Sequence, residues 1–138
     1  MKKHYYYDKF YKDNKDKIGS YPFFWTTDKK EKRNKLWKKQ RKKYGFDDRE
    51  TWGLDYTFII WVYERFNMYR DIGGKIIDLD YHKFNIDGLE YSQRELINKI
   101  LSICENLLMS SDDWEEDYIN QYKELLKLFS VIIPAMWW

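Results

Sequence analysis

The stretch Leu54-Asp55-Tyr56-Thr57-Phe58-Ile59-Ile60-Trp61-Val62-Tyr63-Glu64-Arg65-Phe66-Asn67-Met68-Tyr69-Arg70-Asp71-Ile72 decides how the rest of the chain is read. Apolar residues at 59, 62, 63, 66 and 69 recur at helical spacing. Residues 58–63 are apolar on every side, and a helix that is apolar all round is surrounded by neighbours. The stretch therefore predicts the central helix of the fold. It is too short and too interrupted to cross a bilayer, which takes roughly 20 predominantly apolar residues. Asp55 is placed to cap this helix, and Gly73-Gly74 to break it.

On the C-terminal side, residues 76–82 set Ile77, Leu79 and Tyr81 against Asp78, Asp80 and His82, a strand alternation. Asp87-Gly88 is a favoured pair for a type I′ turn, so a hairpin is predicted over about 76–91. Ser92-Gln93-Arg94-Glu95 is a capping box that opens a helix to about Met109. Ile97, Ile100, Leu101, Cys104, Leu107 and Leu108 form its inner face. Asp112 with Glu115 starts a last helix. Tyr118, Tyr122, Leu125, Leu126, Phe129, Ile132 and Ile133 point inward along it, and Pro134 stops or kinks it. Trp137 is expected to be buried, closing the core, while Trp138 either closes the core or anchors a partner or membrane interface.

On the N-terminal side, Asp47 and Glu50 have capping-box spacing behind Phe46, a candidate hydrophobic staple. Trp52 is read as a ring plugging the helix junction. Thr27 or Asp28 can cap a helix over about 28–44, which Gly45 can end. Gly19-Ser20-Tyr21-Pro22 reads as a turn. Phe23, Phe24 and Trp25 form an apolar knot, either tacking an arm to the core or offering rings to bases. Tyr7, Phe10 and Tyr11 can share one short helical face.

The fold class that results is mainly α (α+β), with about four helices around the central aromatic helix and one small β-hairpin. Residues 1–45 read as a basic aromatic N-terminal arm and 46–138 as a helical core domain. With 138 residues, 20% of them aromatic, one sizeable core is attainable. The single cysteine, Cys104, excludes an internal disulfide and fits a reducing compartment. The start of the chain lacks the apolar run of a signal peptide, so a soluble intracellular protein is expected.

The net charge of +2 hides a division. Residues 1–45 carry 16 Lys or Arg against 5 Asp or Glu, and residues 46–138 carry 9 against 18. Such asymmetry marks a nucleic-acid or membrane arm on an acidic body, or an arm lying on its own body. Like charges three and four apart weaken an isolated helix, so the basic helix implies a source of counter-charge. The candidate nucleic-acid-binding residues are Lys29, Lys30, Lys32, Arg33, Lys35, Trp37, Lys38, Lys39, Arg41, Lys42, Lys43 and Tyr44.

There is no phosphate loop, dinucleotide fingerprint or paired-cysteine zinc spacing in the chain. Asp78, Asp80 and His82 would share one strand face within reach of a divalent ion, a third-ranked nuclease reading. The more economical reading is the solvated side of a half-buried strand. No catalytic residue, metal site or cofactor is assigned.

At Tyr44-Gly45-Phe46-Asp47-Asp48-Arg49-Glu50-Thr51-Trp52-Gly53-Leu54-Asp55-Tyr56-Thr57 the chain resembles a group of small proteins encoded by tailed phages and prophages. These carry a basic N-terminal stretch, a Gly-Phe-(Ser/Asp)-Asp-x-(Asp/Glu)-Thr-Trp-Asn-Leu-Asp-like box, a long aromatic helix and an aromatic tail. The tail here reads Leu128-Phe129-Ser130, then Met136-Trp137. Gly53 stands where the group has Asn, and Glu64-Arg65-Phe66 where it has Pro-Arg-Leu. The resemblance implies phage origin and action in the host cytoplasm.

Charge and resemblance together point to a non-enzymatic accessory protein that binds nucleic acid or a nucleoprotein complex, in host takeover or counter-defence, with no membrane partner. The runner-up is a phage assembly protein that forms homo-oligomers, the basic arm of one copy docking on the acidic body of the next.

Overall fold

The computed structural model describes residues 4–18, 31–110 and 115–137. In chain order these form α1 (Tyr5–Asp13), α2 (Asn34–Tyr44), a 3-10 turn (Asp48–Thr51), α3 (Leu54–Asp71), a second 3-10 turn (Gly73–Lys75), β1 (Lys83–Ile86), β2 (Leu89–Ser92), α4 (Gln93–Met109), α5 (Glu116–Ile132) and a closing 3-10 turn (Ile133–Ala135). The architecture is mainly helical with one antiparallel hairpin, as the periodicities predict. No helix among the described residues is long and apolar enough to cross a membrane.

Helix α3 buries Ile59, Ile60, Val62, Tyr63 and Phe66 against α1, α4 and α5. It is not surrounded on all sides, contrary to expectation. Trp61 keeps 40% of its surface exposed, and Arg65 lies 4.7 Å over its ring. A cation over an indole face makes such partial exposure tolerable. Asp55 does not cap α3. Gly53 holds that position, and the Asp55 carboxylate accepts from the Tyr118 hydroxyl at 2.8 Å instead. The Tyr122 hydroxyl donates to the Asp55 carbonyl at 3.0 Å, so this residue ties α5 to α3. Phe129 of α5 stacks on Phe66 at 5.9 Å and meets Phe58 edge-on at 5.3 Å.

Helix α4 begins at the expected capping box, Ser92 and Glu95. Every residue predicted on its inner face is buried. Each such aliphatic side chain contributes about 1.5–3 kcal/mol of hydrophobic stabilisation. Along α5, Tyr118, Leu125 and Ile132 are buried as expected. Leu128 is buried too, and Leu126 is exposed, so the buried stripe is rotated slightly from the predicted one. Asp112 lies outside the described residues.

The hairpin pairs Phe84 with Tyr91 and Ile86 with Leu89 around Asp87 and Gly88. Both turn residues have positive φ, the type I′ requirement. The strand expected over residues 76–82 does not form. Those residues make turns and bends instead. Leu79 enters the core from a turn. The carbonyls of Leu79 and His82 accept from the first backbone N–H groups of α4.

With nine residues, α1 is too short to persist alone. Tyr7 and Phe10 anchor it in the common core, Phe10 lying 5.6 Å from the Tyr63 ring. The Glu64 carboxylate accepts from the backbone N–H groups of Tyr6 and Tyr7, at 3.2 and 2.7 Å. Helix α1 thus belongs to the core, not to a separate arm. At the other end, Pro134 passes α5 into its closing turn, and Trp137 is 77% exposed, contrary to the expected burial. The main chain of Trp137 accepts from the Tyr69 hydroxyl at 3.3 Å, which directs backbone rather than indole onto the core.

Candidate nucleic-acid interface

The basic helix is shorter than predicted. Thr27 and Asp28 lie outside the described residues, while residues 31–33 are not helical. The Glu31 carboxylate holds the Arg33 backbone N–H and guanidinium, closing a local turn, and α2 starts at Asn34. Its sequence, NKLWKKQRKKY, contains no acidic residue. Gly45 ends it at φ +88°, where its N–H donates to the Arg41 carbonyl at 2.9 Å. That left-handed conformation is cheap only for glycine.

One side of α2 is bound to the following turn. Trp37 is buried, and its Nε1 donates to Asp48 Oδ1 at 3.0 Å. The Arg49 guanidinium lies 4.0 Å over the indole, with Arg33 5.0 Å from the same ring. Gln40 exchanges two hydrogen bonds with Asp48: its Nε2 donates to Oδ2, and its Oε1 accepts from the backbone N–H. Asp47 accepts from Arg49 at 3.0 and 2.9 Å and from Arg41 at 2.6 Å. Burial alone would raise the Asp47 pKa, but the hydrogen bonds from Arg49 and Arg41 hold it below the usual carboxylate range. The capping box forms as predicted, Glu50 accepting from the Asp47 N–H.

These contacts correct several expected roles. Trp37 is not available to stack on bases, and Arg41 is already paired with a carboxylate of its own chain. Trp37, not Trp52, plugs the helix junction; Trp52 is half exposed beneath Arg33, at 5.7 Å. Phe46 is half exposed rather than stapled. Leu36 is exposed as well.

Lys35, Lys38, Lys39, Lys42 and Lys43 occupy the outer half of α2, opposite Trp37 at 3.6 residues per turn. All five are exposed, and none forms an ion pair among the described residues. Lys32 is exposed just before the helix, while Lys29 and Lys30 lie outside the described residues. The nearby carboxylates of Asp47, Asp48 and Glu50 face the junction and are occupied there. Tyr44, a predicted contact, is exposed with Lys43 Nζ 5.0 Å over its ring. The exposure of Phe46 beside it was not anticipated. Its position directly after the helix-ending glycine was the available signal.

The Asp78, Asp80 and His82 face does not exist. The Asp78 carboxylate accepts from the Asp80 N–H, Asp80 pairs with Arg94 at 3.2 Å, and the His82 ring stacks on Phe84 at 4.5 Å. No group of three metal-ligating side chains occurs among the described residues. Cys104 is buried, and burial pushes its thiol up to about 12, far from a reactive thiolate. Comparisons with protein-family models, with curated proteins and with solved structures find no match to this chain.

Proposed function

We propose that this chain is a non-enzymatic accessory protein that binds nucleic acid, free or within a nucleoprotein complex, through the outer face of α2. The observation that carries this reading is the row of five exposed lysines without a carboxylate partner among the described residues. Ammonium groups that neutralise phosphates release the counterions condensed on the nucleic acid, which drives binding. The buried Trp37–Arg49–Asp47 junction keeps that helix in place without consuming the lysines. The resemblance to small tailed-phage and prophage proteins supports a role in host takeover or counter-defence, acting in the host cytoplasm. Inhibition of a nucleic-acid-guided host nuclease is one such role.

Fluorescence anisotropy with labelled oligonucleotides across a salt series tests the reading. Engaging about five phosphates predicts a log–log salt slope of about −3 to −5. Reversing Lys35, Lys38, Lys39 and Lys42 to Glu abolishes binding on this reading; a reversed variant that binds as tightly as wild type counts against it. A second reading, assembly of copies, is favoured by the exposed acidic start of α5, Glu116 and Asp117. It predicts salt-sensitive self-association in sedimentation without nucleic acid.

A further inference from the structure

Two exposed rings flank the glycine that ends α2. Tyr44 is 58% and Phe46 47% exposed, and their centroids lie 6.4 Å apart at an interplanar angle of 44°. Lys43, the last cation of the lysine row, reaches over the Tyr44 face, so the row meets the rings at this one residue. Contiguous exposed apolar surface is where interaction sites are found, and these two rings adjoin each other. The Cβ that any other residue would carry at Gly45 meets nothing within 4 Å, so this turn is open to solvent and not wedged against the body.

The geometry points to single-stranded nucleic acid as the ligand, its phosphates tracking the outer lysines of α2 and an unpaired base covering Tyr44 and Phe46. This rests on the nucleic-acid reading and narrows it. A duplex offers the same phosphates but keeps its base faces stacked and closed to the rings. A single strand offers both phosphates and free π-faces. Phosphate contacts set affinity and salt dependence, and ring contacts add affinity with little salt dependence. The two contributions are therefore separable on one molecule.

The test compares wild type with a Tyr44→Leu/Phe46→Leu variant, which keeps apolar area and loses both rings. The probes are labelled oligothymidylate, oligouridylate and a DNA duplex of equal length. The expected result is single-strand binding weakened by about tenfold or more in the variant, with an unchanged salt slope and unchanged duplex affinity. The two single-stranded probes share the stacking and phosphate chemistry and rank DNA against RNA; ring dependence with either supports the inference. In wild type, the ring protons of Tyr44 and Phe46 also shift upfield on addition of the preferred single strand, a readout independent of variant folding. A variant that binds single strands as tightly as wild type, or that loses duplex binding equally, overturns the inference and leaves the lysine reading standing. Wild-type protein that binds none of the probes removes both.

Discussion

The Arg49 guanidinium rests 4.0 Å above the indole of Trp37, and both side chains are buried. Trp37 is not part of the main apolar cluster, so this pair forms a separate anchor between α2 and the turn that leads into α3. A buried guanidinium is tolerable only because Asp47 takes two of its hydrogen bonds and the ring covers one face.

Trp37→Ala removes this anchor without opening the main core. The expected cost is about 3 kcal/mol, expressed locally. Native-state hydrogen exchange should show α2 amides losing protection while α4 amides keep theirs. Equal acceleration in both helices would show that Trp37 is part of the common core.

Asp47→Asn leaves the Arg49 charge buried and half satisfied, at a cost of about 3–5 kcal/mol near neutral pH. The sign of the pH dependence follows from the depressed pKa of Asp47. A carboxyl whose folded pKa lies below its unfolded value, about 4, stabilises the fold above that value and loses the contribution as pH falls through the folded pKa. The gap between wild type and variant in urea midpoint should therefore narrow from pH 7 towards pH 3. A gap that stays constant removes Asp47 as a source of acid sensitivity.

Glu64 carries the opposite sign. Burial raises its pKa, even though the N–H groups of Tyr7 and Tyr6 favour the carboxylate. Its ionised form is thus disfavoured on folding, a cost that is full above the folded pKa and is relieved as pH falls through the folded pKa towards the unfolded value. Glu64→Ala strands two backbone donors and should cost about 1–3 kcal/mol, with lost protection in α1. Glu64→Gln keeps an acceptor oxygen and should cost less. The two variants are ranked by urea denaturation at pH 7.

Cys104 should be inert in the native state. Its thiol is buried on the inner face of α4, and burial raises its pKa to about 12. Iodoacetamide at pH 8 should label it only at the rate of global unfolding, and increasing urea should accelerate labelling in step with loss of helical ellipticity. Rapid labelling without denaturant would place the thiol on an opening of α4 that the packed core does not imply.

Much of the architecture follows from short-range chemistry. The spacing of Ile59, Val62 and Phe66, the Ser92–Glu95 box and the Asp87–Gly88 turn each act within a few residues, so local pattern located α3, the start of α4 and the hairpin turn. The lysine row on α2 was equally plain, because a helix with one buried ring and five lysines has one solvated side. Which aromatic ring is spent on the fold was a different matter. Trp37, Tyr44, Phe46 and Trp52 have similar appetites for burial, and only the docking of Arg49 and Asp48 onto Trp37 leaves Tyr44 and Phe46 outside. The same holds for Asp55, claimed by Tyr118 on α5, and for residues 76–82, whose Leu79 and His82 carbonyls cap α4. Periodicity reports which side chains prefer to leave water; the partner that receives each one is chosen by segments distant in the chain, through contacts that no local pattern encodes.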